Sequence, residues 1–229
     1  MQQTNIELQN NNLKIEKQLV ELEQKALMLQ MNPHFVFNAL STIKGYYASN
    51  DIQKAKNYIS RFSQLLRLIL ENQDPFIGLE IEIQILEHYL FLSQVRYNHS
   101  FKYEITLQEE LNNLEVMIPP MLVQPFVENA VLHGVVPLGE NGQITVSFKK
   151  EDNMLQCTVK DNGVGRNKAS SENQTGKKSI AISLTSERLK LLYSDEDVQE
   201  ALMIIDEVDE IGNPVGTTVV MKIPFKSRW

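Results

Sequence analysis

The sequence predicts an α+β protein: an N-terminal helical bundle followed by a two-layer sandwich of strands and helices. Three observations predict it. Residues 5–30 hold neither Gly nor Pro and are dominated by strong helix formers. Apolar residues at 55–69 and again at 79–97 recur at helical spacing. From about Ser100 the texture changes to strand-like runs with helical runs between them. The boundaries read from these changes are 1–30, 31–99 and 100–229.

Each element has its own signal. Leu8, Ile15, Leu22 and Leu29 recur every seven residues, with Leu19 and Ala26 at the second heptad position and polar Asn12 in the seam. Ile6, Leu13, Val20 and Leu27 make a second ladder on the opposite side of the helix. The pattern suits a bundle core and a dimeric coiled coil equally. Pro33 lies where this helix would continue, so it kinks or restarts the helix beside His34. Ala55, Ile59, Phe62, Leu65, Leu66 and Ile69 mark another helix, separated from the one before by a turn at Ser49-Asn50-Asp51. Leu79 to Tyr97 is helical, after Asp74-Pro75 and Gly78. Phe101–Leu107, Gln143–Phe148, Leu155–Lys160 and Thr217–Ile223 read as strands, and Met121–His133 and Ile180–Tyr193 as helices. Leu138-Gly139-Glu140-Asn141-Gly142 is a turn leading into a strand pair. Asn167 to Lys178 is a polar loop.

Composition narrows the functional classes. The apolar share of 42% and charged share of 22% are those of an ordinary globular protein. A net charge of -7 argues against direct nucleic-acid binding, which needs a basic face. The single cysteine, Cys157, excludes an internal disulfide and any CxxC metal site, and its alternation with Leu155 and Val159 reads as burial. There is no apolar run of about 18 residues and no leader pattern at the N-terminus, so the chain as given is expected in the cytoplasm.

Four segments carry chemistry. In Gln30-Met31-Asn32-Pro33-His34-Phe35-Val36-Phe37-Asn38-Ala39-Leu40, His34 read alone is a structural histidine among aromatics as readily as a reactive one. In the segment from Pro119 to Gly134, helical spacing brings Glu128, Asn129 and His133 near one face. That stripe is either a solvated polar face or a holder for hydrated Mg2+ and phosphates, since Mg2+ takes few protein oxygens. Asp161-Asn162-Gly163-Val164-Gly165 follows a strand directly. Its glycines free the backbone to approach a ligand, and Asp161 can accept a hydrogen bond from an exocyclic amine; a simple turn is the plainer reading. Gly212 to Val219 is a further Gly-containing turn entering a terminal strand.

In this order on one chain, the segments resemble the histidine kinases of the LytS/YehU type. Their ATP-binding domain is of the gyrase, chaperone, histidine-kinase and MutL kind (GHKL). The resemblance runs from about Leu27 to Pro224, and includes LEIEIQILEHYLFLSQVRY with Arg96. It implies a coiled-coil signalling helix at 1–30, a helical dimerisation and phosphoacceptor region at 31–99 and a GHKL-type α/β sandwich at 100–229. QMNPHFVFNAL matches the phosphoacceptor motif, implying His34 as the phosphorylated residue. PPMLVQPFVENAVLHG matches the N-box, implying Asn129 as the Mg2+ ligand with Glu128 and His133 beside it. DNGVG matches the box in which Asp161 reads the adenine amine while Gly163 and Gly165 shape the pocket. GTTVVMKIP matches the final glycine box, with Gly216 and Thr217 at the nucleotide.

The sequence departs from the family pattern twice. The lid glycines are replaced by Ser179 and Ala181, small residues that still allow close approach to phosphate, and helix N-terminal amides with Lys177 and Lys178 nearby are expected to favour the triphosphate. Phe35 stands where many histidine kinases have an acid, so Asn38 is expected to orient the His34 ring and Glu128 to act as base. The implied reaction is attack of the neutral His34 imidazole on the γ-phosphorus of MgATP, then transfer to an aspartate of a response regulator, of LytTR type. The implied assembly is a homodimer. Membrane attachment of the parent protein would run through a segment absent from this chain. The alternative is an ATP-binding regulatory module with weak or no kinase activity.

Overall fold

A computed structural model describes residues 33–72, 74–166, 185, 187–189 and 201–227. The expected coiled coil over 1–30, the polar loop Asn167–Lys178 and the lid residues Lys177, Lys178, Ser179 and Ala181 lie outside the described residues. So does most of the helix expected over Ile180–Tyr193, of which Thr185 and Glu187 to Leu189 are described and helical. The chain divides into two compact units, Met1–Ile59 and Ser60–Trp229.

In the first unit, helix α1 (Pro33–Ala48) leads through a turn to the start of helix α2 (Ile52–Glu71), whose residues from Ser60 on belong to the second unit. The turn is where the sequence puts it. Asn50 takes a left-handed φ of 58°, which its short polar side chain tolerates. Asp51 then accepts the Lys54 backbone N–H at 3.2 Å, capping the helix start. Phe35, Ala39, Ala55 and Tyr58 are buried, and the Tyr46 and Tyr58 rings meet at 6.4 Å.

The second unit is built on a five-stranded sheet. Its strands are β2 (Phe101–Leu107), β4 (Gly142–Glu151), β5 (Met154–Asp161), β6 (Leu202–Val208) and β7 (Pro214–Pro224), in the order β2-β4-β5-β7-β6. Among the described residues of this sheet only β2 and β4 run parallel; the other pairs are antiparallel. A small sheet of β1 (Ile77–Gly78), β3 (Val116–Ile118) and β8 (Lys226–Ser227) lies in the order β1-β3-β8. Helix α3 (Leu79–Arg96) packs against β1, β2 and β3.

Alternation decides which face of the large sheet is the core. Val146 faces Val159 and Val159 faces Val219; Phe148 faces Cys157 and Cys157 faces Met221. All six are buried. Residues one step along, such as Thr145, Ser147, Thr158 and Lys160, point to the other face and are partly or fully exposed. Cys157 is free and completely buried, in agreement with its position in the pattern.

The expected helix over Met121–His133 needs correction. Met121 has φ of 55°, and residues 121–123 form an irregular turn. The α-helix is only α4 (Gln124–Asn129). It continues as a π-helical turn (Ala130–Val135) and a 3-10 stretch (Val136–Asn141). The reason lies far along the chain. Glu82 of α3 takes the Met121 N–H at 2.8 Å and the Val123 N–H at 3.2 Å, which pins the turn in a non-helical form. Strand β6 and the small sheet are likewise absent from the sequence-based expectation.

Candidate functional site

One face of the large sheet carries a pocket whose floor is two rungs of paired residues. The first rung is apolar: Val159 pairs with Val219, and Val219 with Ile204. The second is polar: Asp161 pairs with Thr217, and Thr217 with Asp206. Directly paired residues project to the same face, so both rungs look into the same space. The opposite wall comes from α4 and the π-helical turn, which supply Phe126, Asn129, Ala130, His133 and Gly134. Gly165 and Arg166 close one side.

The Asp161 loop is stitched to this wall. Asp161 is buried, and its Oδ1 accepts the Gly163 N–H at 2.9 Å. Val164 donates its N–H to the Gly134 carbonyl at 3.3 Å. Asn162 accepts the Gln143 N–H at 2.6 Å and donates to the Asn141 carbonyl at 2.9 Å, tying the loop to the start of β4. The approach between the loop and the π turn is so close that a Cβ at Gly163 would collide with the Gly134 backbone. A Cβ at Gly134 would in turn sit 2.6 Å from Asp161 Oδ1. Gly165 adopts φ of 72°, a conformation costly for residues with a side chain.

Five of the sequence-derived residues therefore meet at one pocket: Asn129, His133, Asp161, Gly165 and Thr217. Gly163 packs against the backbone of Gly134, a lining residue, and Gly216 sits against the Asp161 carbonyl. Glu128 is not among the lining residues. It accepts the Gln124 Nε2–H at 3.3 Å, and burial pushes its carboxyl from the ordinary 4.5 up to about 7, with that hydrogen bond opposing the rise. Consecutive helix positions differ by about 100° around the axis, so Glu128 turns away from the wall to which its neighbour Asn129 belongs. His34 and Asn38 lie one turn apart on α1.

Sequence reasoning missed three residues. Arg166 directly follows DNGVG, and its place in the motif was the one available signal. Ile204 reaches the pocket only because β6 pairs beside β7, which no local pattern announces. Glu82 is completely buried, and burial raises its carboxyl above the ordinary range, opposed by the Met121 and Val123 amides and the Arg188 charge. Arg188 also donates to the Pro120 carbonyl at 2.8 Å, so the turn before α4 is held from two sides.

Chemically, the pocket offers an apolar floor for a flat ring, a buried carboxylate and a hydroxyl for N–H donors, and an amide with an imidazole on the facing wall. Among the described residues no three His, Cys, Asp or Glu side chains group as a metal cage. A metal held here would take one amide oxygen from Asn129 and the rest from a ligand or water, an arrangement that suits Mg2+.

Fold and pocket together describe an α+β unit with a pocket on one face of its large sheet, joined in sequence to a helical segment. The histidine-kinase family model matches residues 22–101. The chain is 28% identical over 216 residues to the sensor histidine kinase YesM of Bacillus subtilis, covering 93% of this chain and 36% of that protein. It is 31% identical over 221 residues to the sensor protein LytS of Bacillus anthracis, covering 92% of this chain and 35% of that protein. Among solved structures, the catalytic domain of the histidine kinase ThkA aligns with a TM-score of 0.44 at 16% identity, over 67% of this chain and 97% of that one. The chain is thus similar to sensor histidine kinases, and spans about a third of the length of the curated relatives it matches. Among the described residues no helix is long and apolar enough to cross a membrane.

Proposed function

We propose that this chain is the ATP-binding and phosphoacceptor part of a two-component sensor histidine kinase. The observation that carries the reading is the convergence of Asn129, His133, Asp161, Gly165 and Thr217 on one pocket from three separate motifs. In this reading the adenine lies on the Val159–Val219–Ile204 rung and its exocyclic amine donates to Asp161. Gly163 and Gly216 keep the loop and strand close to the base. Lys177 and Lys178 attract the triphosphate. Asn129, with His133 beside it, would hold Mg2+, which neutralises phosphate charge during transfer.

His34 then attacks the γ-phosphorus through an unprotonated ring nitrogen. An N–P bond forms, the bond from phosphorus to the bridging oxygen breaks, and ADP departs. Asn38 orients the ring, and Glu128, ionised in a large fraction at neutral pH, takes the imidazole proton. The phosphoryl group passes next to an aspartate of a response regulator, of LytTR type. Two copies of the chain act as a homodimer, a reading supported by Phe37, Leu40 and Tyr47, which are strongly exposed on α1. The parent protein is anchored in the cell membrane through a segment outside this chain, with this part in the cytoplasm.

The test is incubation with MgATP labelled on the γ-phosphate, comparing wild type with His34→Gln. Acid-labile, alkali-stable label in wild type alone is expected. Tight ATP binding without label would move the function to a regulatory nucleotide-binding module.

A further inference from the structure

The start of α4 is fixed by no residue of its own. Val123 stands at the cap position, where a Ser, Thr, Asp or Asn would accept a helix amide, and no side-chain cap bond is made there. Just before it, Met121 holds a left-handed φ of 55°, which is costly for a residue with a side chain. A turn of this kind persists only where its surroundings impose it. Two side chains of opposite charge, from distant elements, do so here. Glu82, on α3 and with no exposed surface, accepts the Met121 N–H at 2.8 Å and the Val123 N–H at 3.2 Å. Arg188 donates from Nη2 to the Pro120 carbonyl at 2.8 Å.

From Glu82 a continuous run of hydrogen bonds reaches the pocket. The carboxylate holds the Val123 N–H, and the Val123 carbonyl accepts the Phe126 N–H at 3.1 Å and the Val127 N–H at 3.3 Å. The Phe126 and Val127 carbonyls in turn accept the Ala130 N–H. Phe126, Asn129 and Ala130 all line the pocket. Helix α4 is a single hydrogen-bonded piece about 9 Å long, so the place of its first turn fixes the place of Asn129. The floor rests on other bonds, since Val159, Asp161, Thr217 and Val219 are set by the pairing of β5 with β7. Wall and floor thus have separate supports. Bulk alone would be supplied as well by an apolar side chain at position 82; what a carboxylate adds is a fixed place for two amides.

We propose that Glu82 and Arg188 are positioning residues that hold Asn129 where it can reach a Mg2+ ion carried on the phosphates of a bound nucleotide. This rests on the nucleotide reading of the pocket and assigns the support of its metal-side wall. Neither side chain is among the lining residues; both act through the turn from Pro120 to Val123. Adenosine, which has no phosphates, relies on Asp161 and the floor and is indifferent to that support. The extra affinity that Mg2+ confers on ADP depends on it.

The experiment measures by calorimetry the affinity for adenosine, and for ADP with and without Mg2+. It compares wild type, Glu82→Gln, Arg188→Gln and Asn129→Ala at a temperature where each is folded. The readout is the ratio of the two ADP affinities, which a purely structural residue leaves unchanged in folded protein. Glu82→Gln and Arg188→Gln should each cut the Mg2+ enhancement about tenfold, as loss of the groups that orient a metal ligand does, while adenosine affinity keeps its wild-type value. Should Glu82→Gln not fold, Arg188→Gln decides alone. A lowered melting temperature with an intact Mg2+ enhancement would overturn the positioning role, and so would an equal loss for adenosine and ADP. Enhancement lost in Asn129→Ala but intact in Glu82→Gln and Arg188→Gln removes only this inference. Failure of wild type to bind adenosine or ADP, or ADP binding with no Mg2+ enhancement, removes the nucleotide and metal reading beneath it.

Discussion

Replacing Glu128 by Gln should make the protein more stable and the enzyme slower, and the stability gain should depend on pH. Burial raises the Glu128 carboxyl from 4.5 to about 7. Between those values the folded unit retains a proton that the unfolded chain has released. Folding then takes up a proton, so stability falls as pH rises through the window; it is unaffected below the window and fully reduced above it. The interval from 4.5 to about 7 corresponds to about 3 kcal/mol. Glu128 is only half-buried by accessible surface, and solvent screening brings this to about 2 kcal/mol. Gln imitates the neutral acid and escapes the penalty. Urea denaturation of wild type and Glu128→Gln from pH 4.5 to 8.5 should give curves that nearly coincide at the acid end and separate by about 2 kcal/mol at the alkaline end. In thermal melts that is about 4–8 °C for a unit of this size. The same variant should lose autophosphorylation if the carboxylate accepts the His34 proton, and wild-type labelling should rise through a pH of about 7. A stability difference that is constant with pH, or a variant less stable than wild type at pH 8.5, would refute the reasoning.

Three further outcomes follow from contacts within the second unit. Glu82→Gln leaves one acceptor oxygen for two backbone N–H groups and turns an amide donor toward the other, so urea denaturation at pH 7 should register a loss of about 2–4 kcal/mol; an unchanged midpoint would mean the carboxylate does not hold the turn before α4. Gly163→Ala pushes a methyl group into the Gly134 backbone, which should cost about 1–3 kcal/mol and abolish ADP binding in a calorimetric titration. Cys157, fully buried and with its thiol pushed well above the ordinary range by burial, should react with a thiol reagent only as fast as the chain unfolds; rapid modification of native protein would contradict its place in the core.

What was legible in the sequence was legible for local reasons. β2, β5 and β7 carry apolar residues at every second position, and a sheet with one buried face demands that alternation. The turn at Ser49-Asn50-Asp51 needs only its own residues. The expectations that failed depend on distant partners. Residues 121–123 have helical composition, but Glu82 claims their N–H groups. β6 is an edge strand with Met203 and Ile205 exposed on one face and Ile204 in the pocket, so its apolar residues run together and hide the alternation. β1 and β8 contain too few residues to show any period. The pocket divides in the same way. Asp161 and Asn129 stood in recognisable strings, whereas Ile204 and Arg166 gain meaning only once β6 lies beside β7.

The parallel pairing of β2 with β4 has a consequence for how the pocket comes into being. β4 and β5 are joined by the tight turn at Asp152-Asn153, and β6 and β7 by the turn around Gly212, so both hairpins can form locally and early. Asn129 and His133 instead ride on the long crossover between β2 and β4, which must close a large loop before it gains any contact. The floor is no more local than the wall, since it needs the two hairpins joined through β5 and β7, so the pocket is complete only when the whole unit is. A ligand of this pocket would recognise only the completed unit, pulling the folding equilibrium toward it by mass action. Newly made chains thus become competent for ligand in a single step.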